Sequence, residues 1–469
     1  MTARIRDVAY RSQDVVQGAL FFCVPGTRTD GHRFAEAAVR NGAVALVVEH
    51  PVAVDARVPQ AIVPSVREAM GPVSAEFFRH PAERMTMIGV TGTNGKTTTT
   101  YVMESILSAA SRTPGLIGTT GARIAGDAVP FSRTTPEAPD LHRLLADMVE
   151  RGVRAVAMEV SSHGLEQHRV GGVRFDCAIF TNLSQDHLDY HGSMEAYFAA
   201  KALLFRPEST AHAVLNSDVE EGRRLRRPDV PSTSYGLTGS ADVRATGVET
   251  TAAGLAFRVG AVHVRSPLRG TFNVYNCLAS FAAARALGIP EDATLRGIAE
   301  LPGVPGRMET VEAGQDFLAL VDYAHTPDGV ENVLDAARPL APGRLTVVLG
   351  CGGDRDRAKR PLMGRAATSR ADLTVITSDN PRSEDPLAII EDIERGAQGG
   401  GGRFVVEPDR RAAIRLALQG ATGGDVVVIA GKGHETGQEF ADRTIPFDDR
   451  VVAREELSRL LGESEEEPS

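Results

Sequence analysis

Short runs of apolar residues recur along the chain, with helix-length patterns between them. They are Ala43–Val48, Thr86–Val90, Ala155–Val160, Cys177–Thr181, Leu318–Val321, Leu345–Leu349, Leu373–Ile376 and Val426–Ile429. A strand covered by crossover helices on both faces is apolar at successive positions, not at alternate ones. The pattern predicts an α/β fold with mostly parallel sheets. A chain of 469 residues is too long for one core, and at roughly 150 residues per domain it divides into about three. Seams are expected near His80–Arg84 and at the Pro/Gly-rich Leu301–Gly306. The expected domains are 1–84, 85–303 and 304–469, the last ending in an acidic, low-complexity tail, Glu463–Ser469, that is expected to be disordered. The Thr-, Gly- and Val-rich segment from Asp229 to about Pro267 predicts a β-excursion or antiparallel edge within the middle domain.

Composition narrows the function. The net charge is 51 − 61 = −10, which disfavours non-specific nucleic-acid binding. Cys23, Cys177, Cys277 and Cys351 are scattered without a C-x-x-C pair. That argues against a disulfide framework or zinc site and fits a reducing cytosol. No signal-peptide core follows Met1, and no apolar run approaches a bilayer span. A cytoplasmic protein without membrane or nucleic-acid partners is expected.

The first chemistry-bearing motif follows Met85–Val90. It reads Thr91-Gly92-Thr93-Asn94-Gly95-Lys96-Thr97-Thr98 and opens an amphipathic helix reaching about Ala110. Strand, glycine-rich turn and helix N-terminus together cradle phosphates. Backbone N–H groups face the anion, Lys96 reaches the β/γ-phosphates and Thr97 offers its hydroxyl to Mg²⁺. The general pattern G-x-x-x-x-G-K-[ST] needs glycine where Val90 stands, so this is a shorter variant.

The segment T-G-T-N-G-K-T-T resembles the ATP loop of the Mur ligases and of the related folylpolyglutamate synthetases. Three further segments resemble the MurE branch, which adds the third residue of the cell-wall stem peptide. They are Met158–Leu165 (M-E-V-S-S-H-G-L), Asn182–Gly192 (N-L-S-Q-D-H-L-D-Y-H-G) and Asp322–Asp328 (D-Y-A-H-T-P-D). The resemblance runs from about Asp14 to Arg459. It implies an N-terminal domain for the UDP end of the substrate, a central P-loop-type ATPase domain, and a C-terminal Rossmann-like domain that closes over the site. Family precedent favours a monomer.

Glu159 ends one apolar run and His187 follows another, where α/β proteins place ligand groups. The residues alone leave His187 open between metal ligand and structural hydrogen-bonder, because Mg²⁺ prefers oxygen. The resemblance implies that Thr97, Glu159 and His187 hold Mg²⁺. A lysine in an apolar helix, like Lys201, ordinarily snorkels to solvent. The resemblance instead implies that Lys201 is carbamylated and holds a second Mg²⁺, which requires a neutral amine.

Other positions carry over in the same way. Ser161, Gln167, Arg169, Thr134 and Thr135 match contacts to the UDP-MurNAc-dipeptide, with turns and caps as the structural alternative. Ser12 matches too, although Arg11 and Gln13 stand where the family more often has D-S-R, and the usual leading helix is short or missing. Asn276 matches the adenine-side asparagine, with a helix N-cap as the alternative. Asp322 and His325 match the family's ATP-side loop, while Arg307, which cannot lose its charge, suits phosphate or ribose recognition on its own chemistry. Arg357, Lys359 and Arg360 read as a solvated or phosphate-facing surface.

Asp379-Asn380-Pro381-Arg382 resembles the pattern that accompanies meso-diaminopimelate. This amino acid differs from lysine by a distal carboxylate, and a guanidinium grips a carboxylate with two parallel hydrogen bonds. A lysine ammonium would leave that arginine unsatisfied and repelled. Gly431 and Glu435 match positions for the same distal centre, and Arg355 is expected to contribute. The activity implied is ATP-dependent addition of meso-diaminopimelate to UDP-MurNAc-L-Ala-D-Glu through an acyl phosphate. Addition of L-lysine or another diamino acid is the near alternative, and a non-catalytic nucleotide-binding regulator the distant one.

Overall fold

This computed structural model describes residues 4–26, 29–131, 133–251 and 253–462. The acidic tail lies outside them. Each predicted apolar run is a strand, with bounds shifted by a residue or two at most: Thr86–Thr91, Ala155–Glu159, Cys177–Phe180, Leu318–Asp322 and Val426–Ala430 among them.

Asp7–Ala9, Ala19–Phe22, Ala43–Val48 and Gln60–Ile62 form a small parallel sheet in that order. Ser65 caps the helix Val66–Phe77, accepting from Glu68 N–H at 3.2 Å. This helix buries Val66 and Met70 against the sheet and crosses onto the helix Ala138–Glu150 of the next domain. A Cβ on Gly71 would sit 2.5 Å from the Gly171 carbonyl oxygen, so only glycine permits this approach.

Among the described residues the central sheet has eleven strands. Thr86–Thr91 lies in its middle, parallel to Cys177–Phe180 on one side and Ala155–Glu159 on the other. Its side chains alternate between two cores. Ile88 and Val90 join one, while Met87 joins the other. That is why the run shows no polar face. The helix Lys96–Ala109 is buried on more than one face, between the sheet and the helices Thr271–Ala286 and Glu291–Ala299. The amphipathic expectation for it does not hold. The predicted β-excursion is Val243–Thr251, Gly254–Val259 and Val262–Ser266, an antiparallel meander at the sheet edge beyond the parallel strand Ser232–Gly236.

The third sheet runs Glu309–Val311, Leu318–Asp322, Val426–Ala430, Leu345–Leu349, Leu373–Ile376, Arg403–Val406. All but the first pair in parallel, and a separate core fills each face. The segments after Asp322, Leu349, Ile376 and Ala430 all leave from carboxyl ends of parallel strands, where doubly wound sheets bind ligands.

Candidate active site

The phosphate loop is shaped from below by the neighbouring strand. Gly92 (φ +151°) and Gly95 (φ +86°) turn the chain, and a Cβ on Gly92 would collide with the Thr181 hydroxyl. Thr181 Oγ1 donates to Asn94 O at 2.6 Å, and Asn94 N–H donates to Asn182 Oδ1 at 2.9 Å. Lys96 Nζ folds back onto Gly92 O (3.0 Å) and Thr93 O (2.7 Å). Burial lowers its pKa, against the opposing pull of Glu159 and Asp186.

A cleft of about 430 Å³ opens over this loop. Thr93–Thr98, Glu159, Asn276, Arg307, Asp322 and His325 all line it, so most of the expected nucleotide residues converge. The third domain supplies part of the wall. Arg307 lies over the Tyr323 ring (4.5 Å to its centroid) and donates to Thr97 Oγ1 at 3.1 Å. Asp322 is buried and its pKa is raised by that burial; it accepts from Met308 and Ala324 N–H, each at 2.8 Å, and so shapes the turn. Asn276 sits inside the helix Thr271–Ala286, whose N-cap is Gly270, so the N-cap alternative is wrong. Sequence reasoning missed Asp218 and Tyr275 on the cleft wall, joined at 2.8 Å. Tyr275 stands next to the expected Asn276 but carries no expected role, and only the folded chain brings Asp218 to it.

Glu159 is fully buried, and Thr119 holds both of its oxygens: N–H to Oε1 at 2.9 Å and the hydroxyl to Oε2 at 3.0 Å. It shares the cleft with Thr97. A buried carboxylate beside a threonine hydroxyl is an oxygen donor set that suits Mg²⁺. His187 lies 3.4 Å from Asp186, edge-on to His163, and within electrostatic reach of Lys96. Burial pushes its pKa down to about 3, leaving the imidazole neutral. Lys201 does not snorkel. It is 1% exposed, donates to Gly92 O at 2.8 Å and lies over the Tyr197 ring. Burial, with Lys96 nearby, drives its pKa well below the usual lysine value.

Asp186 escaped the sequence reading. It is 6% exposed and meets the third domain at His325 and Lys359, each 3.8 Å away. Burial pushes its carboxyl up, but His325, His187 and Lys359 outweigh that and hold it well below the usual range.

Of the expected dipeptide positions, Thr135 is buried and ties Glu159 O to Ser161 N–H, both at 3.0 Å. Thr134 meets Thr119 at 3.1 Å. Ser161 caps the helix Ser162–Glu166, accepting from Gly164 N–H. Arg169 donates to Gln167 Oε1 at 2.7 Å and pairs with Glu137 at 3.0 Å. Arg133 and Arg67 also face Glu137, an arginine cluster with no local sequence signature. Ser12 opens a 3₁₀ turn in the first domain, its carbonyl accepting from Asn41. It is not among the side chains around Glu159.

In the third domain the two expected loops do meet. Asn380 Nδ2 donates to Glu435 Oε2 (2.8 Å), and a Cβ on Gly431 would lie 2.6 Å from Asp379 Oδ2. Pro381 is buried beside them. Arg382 has a left-handed backbone (φ +52°) and pairs with Glu439 at 2.7 Å. Lys432, fully buried, donates to Asn380 Oδ1 at 2.8 Å and lies 3.3 Å from Glu435. It lies between the expected Gly431 and Glu435 in the sequence but carries no expected role there. Arg355 is exposed and donates to Asp354 O. The surface expected at Arg357, Lys359 and Arg360 is only partly one. Arg357 is exposed, but Lys359 and Arg360 are 5% and 1% exposed. Arg360 is buried because Glu384 (2.8 Å) and Asp392 (3.0 Å) neutralise it.

A phosphate loop, a buried carboxylate beside it and a third domain leaning over both define an ATP-using enzyme of three domains. Family models match in the same order: Mur ligase family, catalytic domain (residues 4–78), Mur ligase middle domain (90–284), and Mur ligase, glutamate ligase domain (306–433). The chain is 49% identical over 455 residues to the UDP-N-acetylmuramoyl-L-alanyl-D-glutamate–2,6-diaminopimelate ligase of Geobacillus thermodenitrificans, covering 94% of this chain and 93% of that one. It is 46% identical to the ligase of the same name from Streptomyces avermitilis, covering 98% and 94%. A solved structure of a ligase of that name superposes with a TM-score of 0.69 at 36% identity, over 97% of this chain and 95% of the other. The ADP complex of MurF from Thermotoga maritima, at 21% identity and TM-score 0.67 over 99% of both chains, shares the fold. The chain belongs to the Mur ligase family of ATP-dependent ligases.

Proposed function

We propose that this ligase joins meso-2,6-diaminopimelate to the D-Glu γ-carboxylate of UDP-MurNAc-L-Ala-D-Glu, a step of peptidoglycan precursor synthesis in the cytoplasm, acting as a monomer. The observation that carries the reading is the convergence of Asp379–Arg382 with Gly431 and Glu435 at the carboxyl edge of the third sheet. There an arginine and a carboxylate are offered to an amino acid whose distal centre bears both charges. The relatives' shared name supports it. Among the described residues no helix is long and apolar enough to cross a membrane.

The γ-carboxylate oxygen attacks the γ-phosphorus of ATP, the bond to the β,γ-bridging oxygen breaks, and ADP leaves. Lys96 takes up charge on the transferring phosphoryl group, and the loop N–H groups hold the phosphates in line. Thr97, Glu159, His187 and a carbamylated Lys201 would hold Mg²⁺, which supplies charge neutralisation on the phosphate oxygens. Burial favours the neutral Lys201 amine, the form that reacts with CO₂, releasing one proton as the carbamate forms. The neutral amine of diaminopimelate then attacks the acyl phosphate carbonyl. The tetrahedral intermediate expels phosphate, and the nitrogen loses a proton to give the amide.

Phosphate release with ATP, Mg²⁺ and the UDP-dipeptide tests this. Release with diaminopimelate but not L-lysine, with the tripeptide product seen by mass, is expected. Release with lysine would keep the family and overturn the specificity. Release with neither would favour the non-catalytic reading.

A further inference from the structure

The loop carrying Arg382 does not hold its shape alone. A short hairpin, Gly437–Glu439 paired antiparallel with Thr444–Pro446, lies against it. Four hydrogen bonds join the two. Gln438, 5% exposed, donates from Nε2 to Asp379 O at 2.7 Å. Glu439 N–H donates to Asn380 Oδ1 at 3.0 Å, and Arg382 N–H donates to Glu439 O at 3.0 Å. Arg382 Nε donates to Glu439 Oε2 at 2.7 Å. The guanidinium is held on a second side by Gly353 O, which accepts from Nη1 at 2.8 Å. Nη2 is the nitrogen that neither contact uses.

We propose that Glu439 is a specificity-determining positioning residue, which fixes the Arg382 guanidinium so that Nη2 and the remaining Nη1 hydrogen meet the distal carboxylate of the incoming amino acid. The inference rests on the diaminopimelate reading of the Arg382 pocket. An arginine has several rotatable bonds, and an unheld one loses rotamer freedom when it grips a ligand. Here Nε is tethered by a carboxylate and Nη1 by a carbonyl, so the fork is oriented before the ligand arrives. The tether uses the edge of the guanidinium at Nε and leaves the other edge, between Nη1 and Nη2, partly open. Glu439 is half-exposed, with its side chain 49% accessible against 23% for Arg382. A merely structural ion pair at that exposure contributes little to stability. The negative charge has a second effect: with Glu435 nearby, it keeps the pocket from presenting a bare cation to solvent. Asn380 links the two glutamates, accepting from Glu439 N–H and donating to Glu435 Oε2 at 2.8 Å. The hairpin thus connects the group expected at the ligand's ammonium to the group expected at its carboxylate.

The test is steady-state ligation by the full-length enzyme carrying Glu439→Ala, Glu439→Gln, Glu439→Asp or Arg382→Ala, with diaminopimelate and L-lysine as alternative amino acids. Glu439→Ala should raise KM for diaminopimelate about five- to tenfold. KM for ATP and for the UDP-dipeptide should stay within about twofold, and preference for diaminopimelate over lysine should fall. Glu439→Asp should recover part of the loss, and Glu439→Gln, which keeps an acceptor oxygen without the charge, should lie between. If Arg382→Ala raises KM and Glu439→Ala does not, or if Glu439→Ala lowers it, the positioning role is overturned while the pocket stands. If neither variant changes KM for diaminopimelate, the pocket reading itself is overturned. If Glu439→Ala raises all three KM values together with unchanged preference, the glutamate is only structural and the proposal fails.

Discussion

Asn94 of the phosphate loop donates from Nδ2 to Asp328 Oδ2 at 2.7 Å, across the junction between the central and third domains. Asp328 lies in the first turn of the helix Pro327–Ala337, and Ser184 Oγ also reaches it at 3.3 Å. The loop expected to cradle phosphates is therefore tied directly to the domain that carries the proposed amino-acid pocket. Asp328→Ala should loosen that tie. The nucleotide-free protein should show a larger radius of gyration in solution scattering, and KM for ATP should rise about three- to tenfold. An unchanged radius with unchanged KM would mean that the contact does not control closure.

Lys96 is the cation proposed to meet the transferring phosphate. In this structure its ammonium is held by two loop carbonyls and not by a carboxylate. Lys96→Ala should lower kcat by about 100-fold or more, because a preorganised cation at the developing charge is lost. Thermal stability should change little, since both hydrogen-bond acceptors described for the amine lie in its own loop. A variant retaining a tenth or more of wild-type kcat would shift the role to Arg307.

His434 makes the junction sensitive to pH. Its Nε2 lies 3.2 Å from Thr119 O, across the domain boundary. Burial, with Arg307 and Arg450 nearby, pushes its pKa down to about 4 from 6.5, against the opposing effects of Thr119 and Asp448. The folded-state value is the lower one, so between pH 6.5 and 4 the unfolded chain binds a proton that the folded chain does not. Stability from this site is complete above about pH 6.5 and is lost as pH falls toward 4, by roughly 1–2 kcal/mol at pH 5. Melting curves from pH 7.5 to 5 should slope less for His434→Gln than for the wild type. Parallel slopes would contradict this account.

The parallel strands were legible because burial on both faces leaves a continuous apolar run, as in Val426–Ala430. The phosphate loop was legible because its chemistry is local: glycine, lysine and threonine must be adjacent. What the sequence hid is non-local. Asp186 is an unremarked aspartate until His325 and Lys359, from another domain, close on it. Arg360 reads as a surface residue in Arg357–Arg360 because its neutralising carboxylates, Glu384 and Asp392, are more than twenty residues away. An N-cap was the structural alternative for Asn276 because an apolar helical run follows it. The helix begins instead at Thr271, five residues earlier, after a glycine. Glu439 carries no motif and acquires meaning only when the hairpin meets Arg382.

Lys201 poses the sharpest conflict between stability and chemistry. Its ammonium form is buried with one carbonyl acceptor and an aromatic face, and Asp186 is the carboxylate that pulls on it. Burial depresses the folded-state pKa below 10.5, so at neutral pH the unfolded chain holds this proton more tightly. The stability forgone is recovered only as pH rises toward 10.5. Methionine has a similar length and no charge to desolvate. Lys201→Met should therefore raise stability by about 1 kcal/mol, or about 2–4 °C in Tm. It should also abolish carbamate formation and lower kcat by about 100-fold or more. For the wild type, decarbonated buffer should lower activity and bicarbonate restore it, with a carbamate resonance appearing in ¹³C NMR under labelled bicarbonate. Lys201→Met should show none of these responses. If the variant melts below the wild type, the lysine is held by more than the contacts described. If it stays active, the buried amine serves no step of the reaction.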